Sequence, residues 1–200
     1  MIDARRRWRF AVGAGLLGVS LAAARRPEIA GREERVFRAA NEAGDRLRIP
    51  VRTVMQAGTF ATVPAAATVA LATGHRTLAR SLALGGTAAW LLAKALKPLG
   101  GRDRPAGVLR DVRIREQISG DLGWPSGHTA VATSLAAILA QDLPAAAPVL
   151  TAAVGAVGFG RMYVGAHLPH DIVGGAGLGL AVSAAIRSVS RPAGALASVR

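Results

Sequence analysis

The chain contains no cysteine, which removes both a disulfide framework and a thiol nucleophile and leaves no mark of a redox compartment. Aromatic residues make up only 4% of it, so there is little to stack on bases. With no aromatic-interleaved basic patch and no zinc-like spacing, a nucleic-acid partner is not expected. Acidic residues are also few, 12 against 25 Lys and Arg, for a formal charge of +13. The excess is carried almost wholly by Arg placed between apolar segments, where it can meet lipid headgroups or an anionic substrate. Repeats at solenoid periods and low-complexity linkers are missing too, so residues 1–200 are read as a single domain.

What the chain has in quantity is apolar length. It is 51% hydrophobic and rich in Ala and Gly. Several almost uncharged segments approach the ~20 residues that a helix needs to cross the hydrocarbon core, and their small residues suit close helix packing in lipid. The expected fold is all-α, a polytopic membrane helix bundle with about six transmembrane helices. The runs are Phe10 to Ala24, then about Thr53 to Thr73 with Pro64 as a kink, and about Thr77 to Leu96 with Lys94 snorkelling near its end. Three more follow at about Ser126 to Gln141, Pro144 to Phe159 and Pro169 to Val189, separated by LP and HLP turn signals. The first run has the basic start of a signal peptide, and SLAAA resembles a cleavage site; we read it as a short first membrane helix. In the charged stretch after it, Ile29, Val36, Phe37, Ala40 and Leu47 are spaced loosely along one face of a surface helix.

A polar loop from Lys97 to Trp124 interrupts the apolar pattern. If one helix pair separates this loop from the turn Gly160 to Leu168, both lie on the same side of the membrane and their polar residues can meet. Ionisable groups next to membrane-length segments are costly, roughly 2.5 to 3.5 kcal/mol each at a helix centre, so their default reading is functional.

Three clusters stand there: KPLGGRDRP from Lys97, PSGH from Pro125, and GRMYVGAHLPHD from Gly160. Lys97, Arg104 and Arg161 can surround a phosphoryl dianion, the two Arg forks bidentately and the Lys as a point charge. Ser126 can cap a helix starting at Gly127, whose backbone N–H groups and positive dipole end then face an anion. Pro169 suits the first turn of a helix, which leaves His167 just outside and Asp171 just inside it. The carboxylate can reach back to His167, hold its tautomer and make the other ring nitrogen a better nucleophile. His128, on a different helix end, is left to protonate a leaving oxygen. His170 beside them tempts a two-His-plus-carboxylate metal site. Adjacent residues on a helix point about 100 degrees apart, however, which argues against it.

In order and spacing the clusters resemble the signature of the type-2 phosphatidic acid phosphatase superfamily, K-x6-RP, PSGH and SR-x5-H-x3-D. The resemblance covers Lys97 to Asp171 by motif. It implies that His167 forms a phosphohistidine, that His128 protonates the leaving group, that Lys97, Arg104, Ser126, Gly127 and Arg161 bind the phosphate, and that neither metal nor cofactor is needed. The substrate would be a membrane lipid phosphate. One position departs: Gly160 stands where the family usually has Ser, so a hydroxyl donor is absent. Taken singly, each cluster has a plainer reading: loop charges at a membrane surface, an ordinary helix start, a structural cap. His75 is read as a loop residue on the opposite side. Trp8, Trp90 and Trp124 are read as interface anchors or packing, and Arg102, Asp103, Arg110, Arg113 and Arg115 as a solvated loop. The competing functions are a non-catalytic anionic-lipid-binding or transport protein and a vanadate-dependent haloperoxidase-like enzyme, whose relatives are soluble. The positive-inside rule mildly favours a cytoplasmic site. Family precedent and the RRRWR start favour the extracytoplasmic face, which is the expectation adopted.

Overall fold

The computed structural model describes residues 4–118 and 120–189, with side chains to residue 186; these residues are helical apart from loops and one isolated bridge between Asp103 and Leu122. Helix α1 runs over Ala4–Ala24, α2 over Gly31–Asn41, α3 over Arg48–Met55, α4 over Thr62–Ala72 and α5 over Arg76–Ala95. Two short turns of helix follow, α6 at Lys97–Gly100 and α7 at Pro105–Val108, and then α8 at Gly127–Asp142, α9 at Ala147–Tyr163 and α10 at Pro169–Val189.

Helix α1 begins earlier than its apolar run because Arg is a good helix former. Its 21 residues give about 31 Å at 1.5 Å per residue, enough to match a ~30 Å hydrocarbon core. The run expected from Thr53 to Thr73 is not one kinked helix. It breaks into α3, a tight turn at Gln56–Gly58 and α4, with a bend of 67°. Pro64 is not the cause, since it lies in the first turn of α4, where a missing N–H has no intrahelical acceptor to lose. At the break the Gln56 carbonyl accepts from the hydroxyls of Thr59 at 2.8 Å and Thr62 at 2.5 Å. Gly58 there lies against α8, where a Cβ would come within 2.7 Å of the His128 carbonyl oxygen.

By length and hydropathy one described helix, Pro144–Tyr163, is apolar and long enough to cross a membrane, and the bent pair Asp45–Gly58 with Thr62–Ala72 is a second candidate. The other expected spans exist as helices but fall short by that measure. Helix α1 opens with Arg5, Arg6, Arg7 and Arg9, α5 carries Arg76, Arg80 and Lys94, and α4 and α8 are 11 and 16 residues long. Within the Pro144–Tyr163 window only 22% of residues are buried, and Val149 there is 72% exposed. An apolar helix turned outward suits lipid better than a water-soluble core.

Glycines set the crossings. A Cβ on Gly179 would lie 2.5 Å from the Ala130 carbonyl oxygen, and Gly175 likewise abuts Ser126, so α10 and α8 run parallel with backbones touching. Gly13 of α1 faces Gly177, while Ser20 lies by Gly174, which makes α1 antiparallel to α10. Gly85 of α5 meets Ile138 of α8, and Ala93 lies beside Gly127, so that pair is antiparallel too. Between them Val63, Leu82, Val131, Leu135 and Ile138 form a buried apolar cluster. In lipid such a cluster stabilises by van der Waals fit rather than by the hydrophobic effect. The end of α5 and the starts of α8 and α10 therefore lie together at one end of the bundle, with the end of α9 and the break between α3 and α4.

Candidate active site

The loop expected to be solvated is tied down. Asn41, buried at the end of α2, donates from Nδ2 to the carbonyls of Arg113 at 2.9 Å and Tyr163 at 3.1 Å, and its Oδ1 accepts from Arg113 N at 2.9 Å. Arg115 donates to the carbonyls of Asn41 and Tyr163, both at 2.7 Å, and its guanidinium stacks 4.2 Å over the Tyr163 ring. The polar loop is thereby pinned to the end of α9, the meeting expected from topology.

Lys97 follows α5 directly and donates from Nζ to the carbonyls of Leu122 at 2.7 Å and Gly123 at 3.2 Å. Arg104 donates to Gly120 at 2.6 Å and Ala166 at 2.9 Å. Arg161, in the last turn of α9, pairs with Glu116 at 3.1 Å. Beyond it the chain folds back sharply. Gly165 adopts φ +80, a conformation that favours glycine, and a Cβ there would lie 2.7 Å from the Arg113 carbonyl oxygen. The Arg161 carbonyl accepts from Ala166 N at 2.9 Å and His167 N at 3.2 Å, so His167 sits over the end of α9.

His167 and Asp171 are buried, and Nδ1 stands 3.5 Å from Oδ2. Burial first, and then the charges of Arg161, Arg104 and Lys97, push the imidazole well below its ordinary pKa, while the Gly123 carbonyl opposes them. His167 is therefore neutral, and the contact is a carboxylate facing an imidazole edge without a hydrogen bond, Nδ1 having no hydrogen-bond partner among the described residues, rather than an ion pair. Such contacts are often long in free enzymes and tighten with substrate. Asp171 Oδ2 also accepts from Leu168 N at 2.9 Å. Gly123 leaves it room, since a Cβ there would come within 2.8 Å of that oxygen.

Lys97, Arg104, Gly127, His128, Arg161 and His167 line one cavity of about 350 Å³. Asp171 stands behind His167. Ser126 differs from expectation: it is the N-cap of α8, its buried Oγ accepts from Thr129 N at 3.4 Å and Thr129 Oγ1 at 3.1 Å, and it is not part of the cavity wall. What it exposes to an anion is the helix end it caps. Ser126 N donates to the Asp171 carbonyl at 2.9 Å, which joins the second and third motifs.

Several contributors carry no sequence signal. Gly58, Phe60 and Trp90 form an apolar side of the cavity, the two rings 4.7 Å apart with Lys94 Nζ 3.7 Å over Trp90. Glu116, Gln117 and Ile118 line it from the pinned loop. Arg102, expected in a solvated loop, is buried and bonded to buried Glu33 of α2 at 2.7 Å. His170 Nδ1 stands 2.9 Å from the same Glu33, so His167 and His170 face different carboxylates. Among the described residues no group of three or more His, Asp or Glu is arranged to hold a metal ion. Trp124 is buried and donates to Ser20 Oγ at 3.1 Å, a packing role, and His75 lies between α4 and α5, at the far end of the bundle.

No curated protein sequence matches the chain significantly. Among solved structures, Aquifex aeolicus LpxE superposes with a TM-score of 0.73 at 22% identity, over 81% of this chain and 98% of LpxE. The first transmembrane PAP2 type phosphatidylglycerolphosphate phosphatase from Bacillus subtilis gives a TM-score of 0.67 at 22% identity, over 89% of this chain and 95% of that one. At such identity these likenesses establish the all-helical fold. The PAP2 superfamily profile matches residues 77–194, more than half of the chain and all of the cavity's motif residues, and the chain belongs to the PAP2 superfamily.

Proposed function

We propose that the protein is an integral-membrane lipid phosphate phosphatase that works without a metal, through a phosphohistidine on His167. Membership of the PAP2 superfamily makes it a phosphoric ester hydrolase; lipid substrate and mechanism are our reading. The observation that carries it is a neutral, buried His167 facing the Asp171 carboxylate at 3.5 Å, in the wall of a cavity that also holds Lys94, Lys97, Arg104, Arg161 and His128.

With Nδ1–H turned to Asp171, Nε2 keeps its lone pair for the phosphorus. The substrate phosphate enters as its monoanion and passes its proton to His128; attack then forms a P–N bond and breaks the P–O bond to the leaving group, and the His128 imidazolium gives that proton to the departing oxygen. His128, now basic, takes a proton from water as that water breaks the P–N bond and releases inorganic phosphate. Lys97, Arg104 and Arg161 neutralise charge on the phosphoryl oxygens, which is most of what phosphoryl transfer requires. The helix end capped by Ser126 adds the N–H groups of Gly127 and His128. Asp171 fixes the imidazole tautomer.

The Phe60 and Trp90 side fits an acyl or prenyl chain beside the reacting phosphate. The substrate is a phosphomonoester or diphosphate on a membrane lipid, such as phosphatidic acid, phosphatidylglycerolphosphate or a polyprenyl diphosphate. The outward-facing apolar α9 supports a bilayer location. Because α1 is antiparallel to α10, the start of α1 lies at the end opposite the cavity. An Arg-rich start held in the cytoplasm supports an extracytoplasmic site.

Detergent-purified protein offered a panel of lipid phosphates should release inorganic phosphate from at least one in the presence of EDTA, and His167→Ala should abolish this. Activity of that variant within about tenfold of wild type, some 1.4 kcal/mol of barrier, would remove His167 from the nucleophile's role.

A further inference from the structure

Behind the cavity Asp171 belongs to a charged cluster whose other two members, Glu33 and Arg102, have no part in the proposed reaction. Glu33 is in the first turn of α2, Arg102 lies between α6 and α7, and Asp171 is in the first turn of α10. Their side chains are 3%, 4% and 0% exposed. Arg102 Nη2 donates to Glu33 Oε2 at 2.7 Å, and its Nη1 stands 3.8 Å from Asp171 Oδ1. Both Nη1 and Oδ1 are buried with no hydrogen-bond partner. The other Glu33 oxygen accepts from His170 N at 3.0 Å, so one carboxylate grips both the guanidinium and the backbone of the turn that carries Asp171. Burial would raise the Glu33 carboxyl, but hydrogen bonds from Arg102 and His170 outweigh it and hold the group below its ordinary pKa, charged.

Buried ion pairs of this kind contribute little net stability compared with apolar packing, so the cluster needs another reason. The two oxygens of Asp171 supply one: Oδ2 faces His167 and Leu168 N, while Oδ1, without a hydrogen-bond partner among the described residues, stands 3.8 Å from Arg102 Nη1. We propose that Arg102, aimed by Glu33, is a positioning residue that keeps the Asp171 carboxylate charged and oriented toward His167. The inference rests on the assignment of His167 as nucleophile. Arg102 is not part of the cavity wall, so its effect falls on the chemical step and not on substrate binding.

The test uses the full chain in detergent and the most rapidly hydrolysed lipid phosphate. Arg102→Met should lower kcat about 100-fold with KM within about threefold, the size of loss that misplacement of a reacting group produces. Arg102→Lys should recover at least about tenfold of that. Glu33→Gln, which keeps an acceptor for His170 N, should lower kcat alone, by about three- to tenfold. Nitrogen-15 spectra of the histidine rings provide a readout independent of turnover: the Nδ1–H form of His167 should dominate in wild type and lose that dominance in Arg102→Met. An unchanged kcat and ring spectrum in Arg102→Met, or a raised KM at constant kcat, overturns the proposal. Should that variant not fold, a Glu33→Gln enzyme with wild-type kcat overturns it instead. Wild-type protein inactive on every lipid phosphate would count against the phosphatase reading, and the ring spectra would still decide the role of Arg102.

Discussion

Lys97 stands among cations at the cavity and pairs with carbonyls, not carboxylates. Burial, and then the charge of Arg104, push its pKa down from 10.5 to about 8, against the pull of Asp171. The folded value lies below the unfolded one, so the folded chain sheds this proton first. Between about pH 8 and 10.5 the fold therefore gains stability as pH rises, while the cavity loses a cation. We expect kcat/KM to fall above about pH 8, with kcat holding to higher pH because bound phosphate restores the proton. In Lys97→Arg that limb should move out of range, since Arg stays charged; a limb left where it was would assign it to another group. Glu116 sits on the opposite side of the balance. Its carboxylate, 38% exposed, holds Arg161 at 3.1 Å and competes with a substrate phosphoryl for the same guanidinium. Glu116→Gln should lower KM about threefold, within the ~0.2–1 kcal/mol of an exposed ion pair; initial-rate measurements giving a higher KM would mean that Glu116 aims Arg161 instead.

At the scale of elements, backbone contact between α8 and α10 carries the site, because the first turns of both bear its residues. A Cβ on Gly179 would meet the Ala130 carbonyl oxygen at 2.5 Å and Thr133 Cβ at 2.7 Å, so any larger residue must part the helices. Gly179→Val should cost about 1–3 kcal/mol or more by overpacking and lower kcat by shifting the His128 turn against the Asp171 turn. Thermal unfolding in detergent checks the first effect. Gly155 of α9, with nothing within 4 Å of its Cβ position, is the control, and Gly155→Val should leave turnover unchanged and stability unchanged or slightly raised. Equal losses in the two variants would sink the argument from helix contact.

For the molecule as a whole, the grouping of helix ends puts the start of α1 and the cavity at opposite ends of the bundle. Val108, at the end of α7, is 39% exposed and lies in the loop between α5 and α8 of a chain without cysteine. Val108→Cys in intact cells should react with a membrane-impermeant thiol reagent if the site is extracytoplasmic. Labelling that appears only after lysis would place it in the cytoplasm.

Local order was readable from the residues alone. Turn signals and apolar runs bounded most of the long helices, and motif spacing singled out Lys97, Arg104, His128, Arg161 and His167, all of which line the cavity. Ser126 was legible as a helix cap, because capping depends only on the residues that follow it. The bend between α3 and α4 was not legible at Pro64. It arises where Gly58 is pressed against α8, a neighbour seventy positions away in the chain. Phe60 beside Trp90, Glu116 on Arg161 and Glu33 on Arg102 were likewise decided only in three dimensions. Each pair joins different elements, and a charge or a ring in a loop reads the same in sequence whether it ends in solvent or buried against a partner that packing alone brings to it.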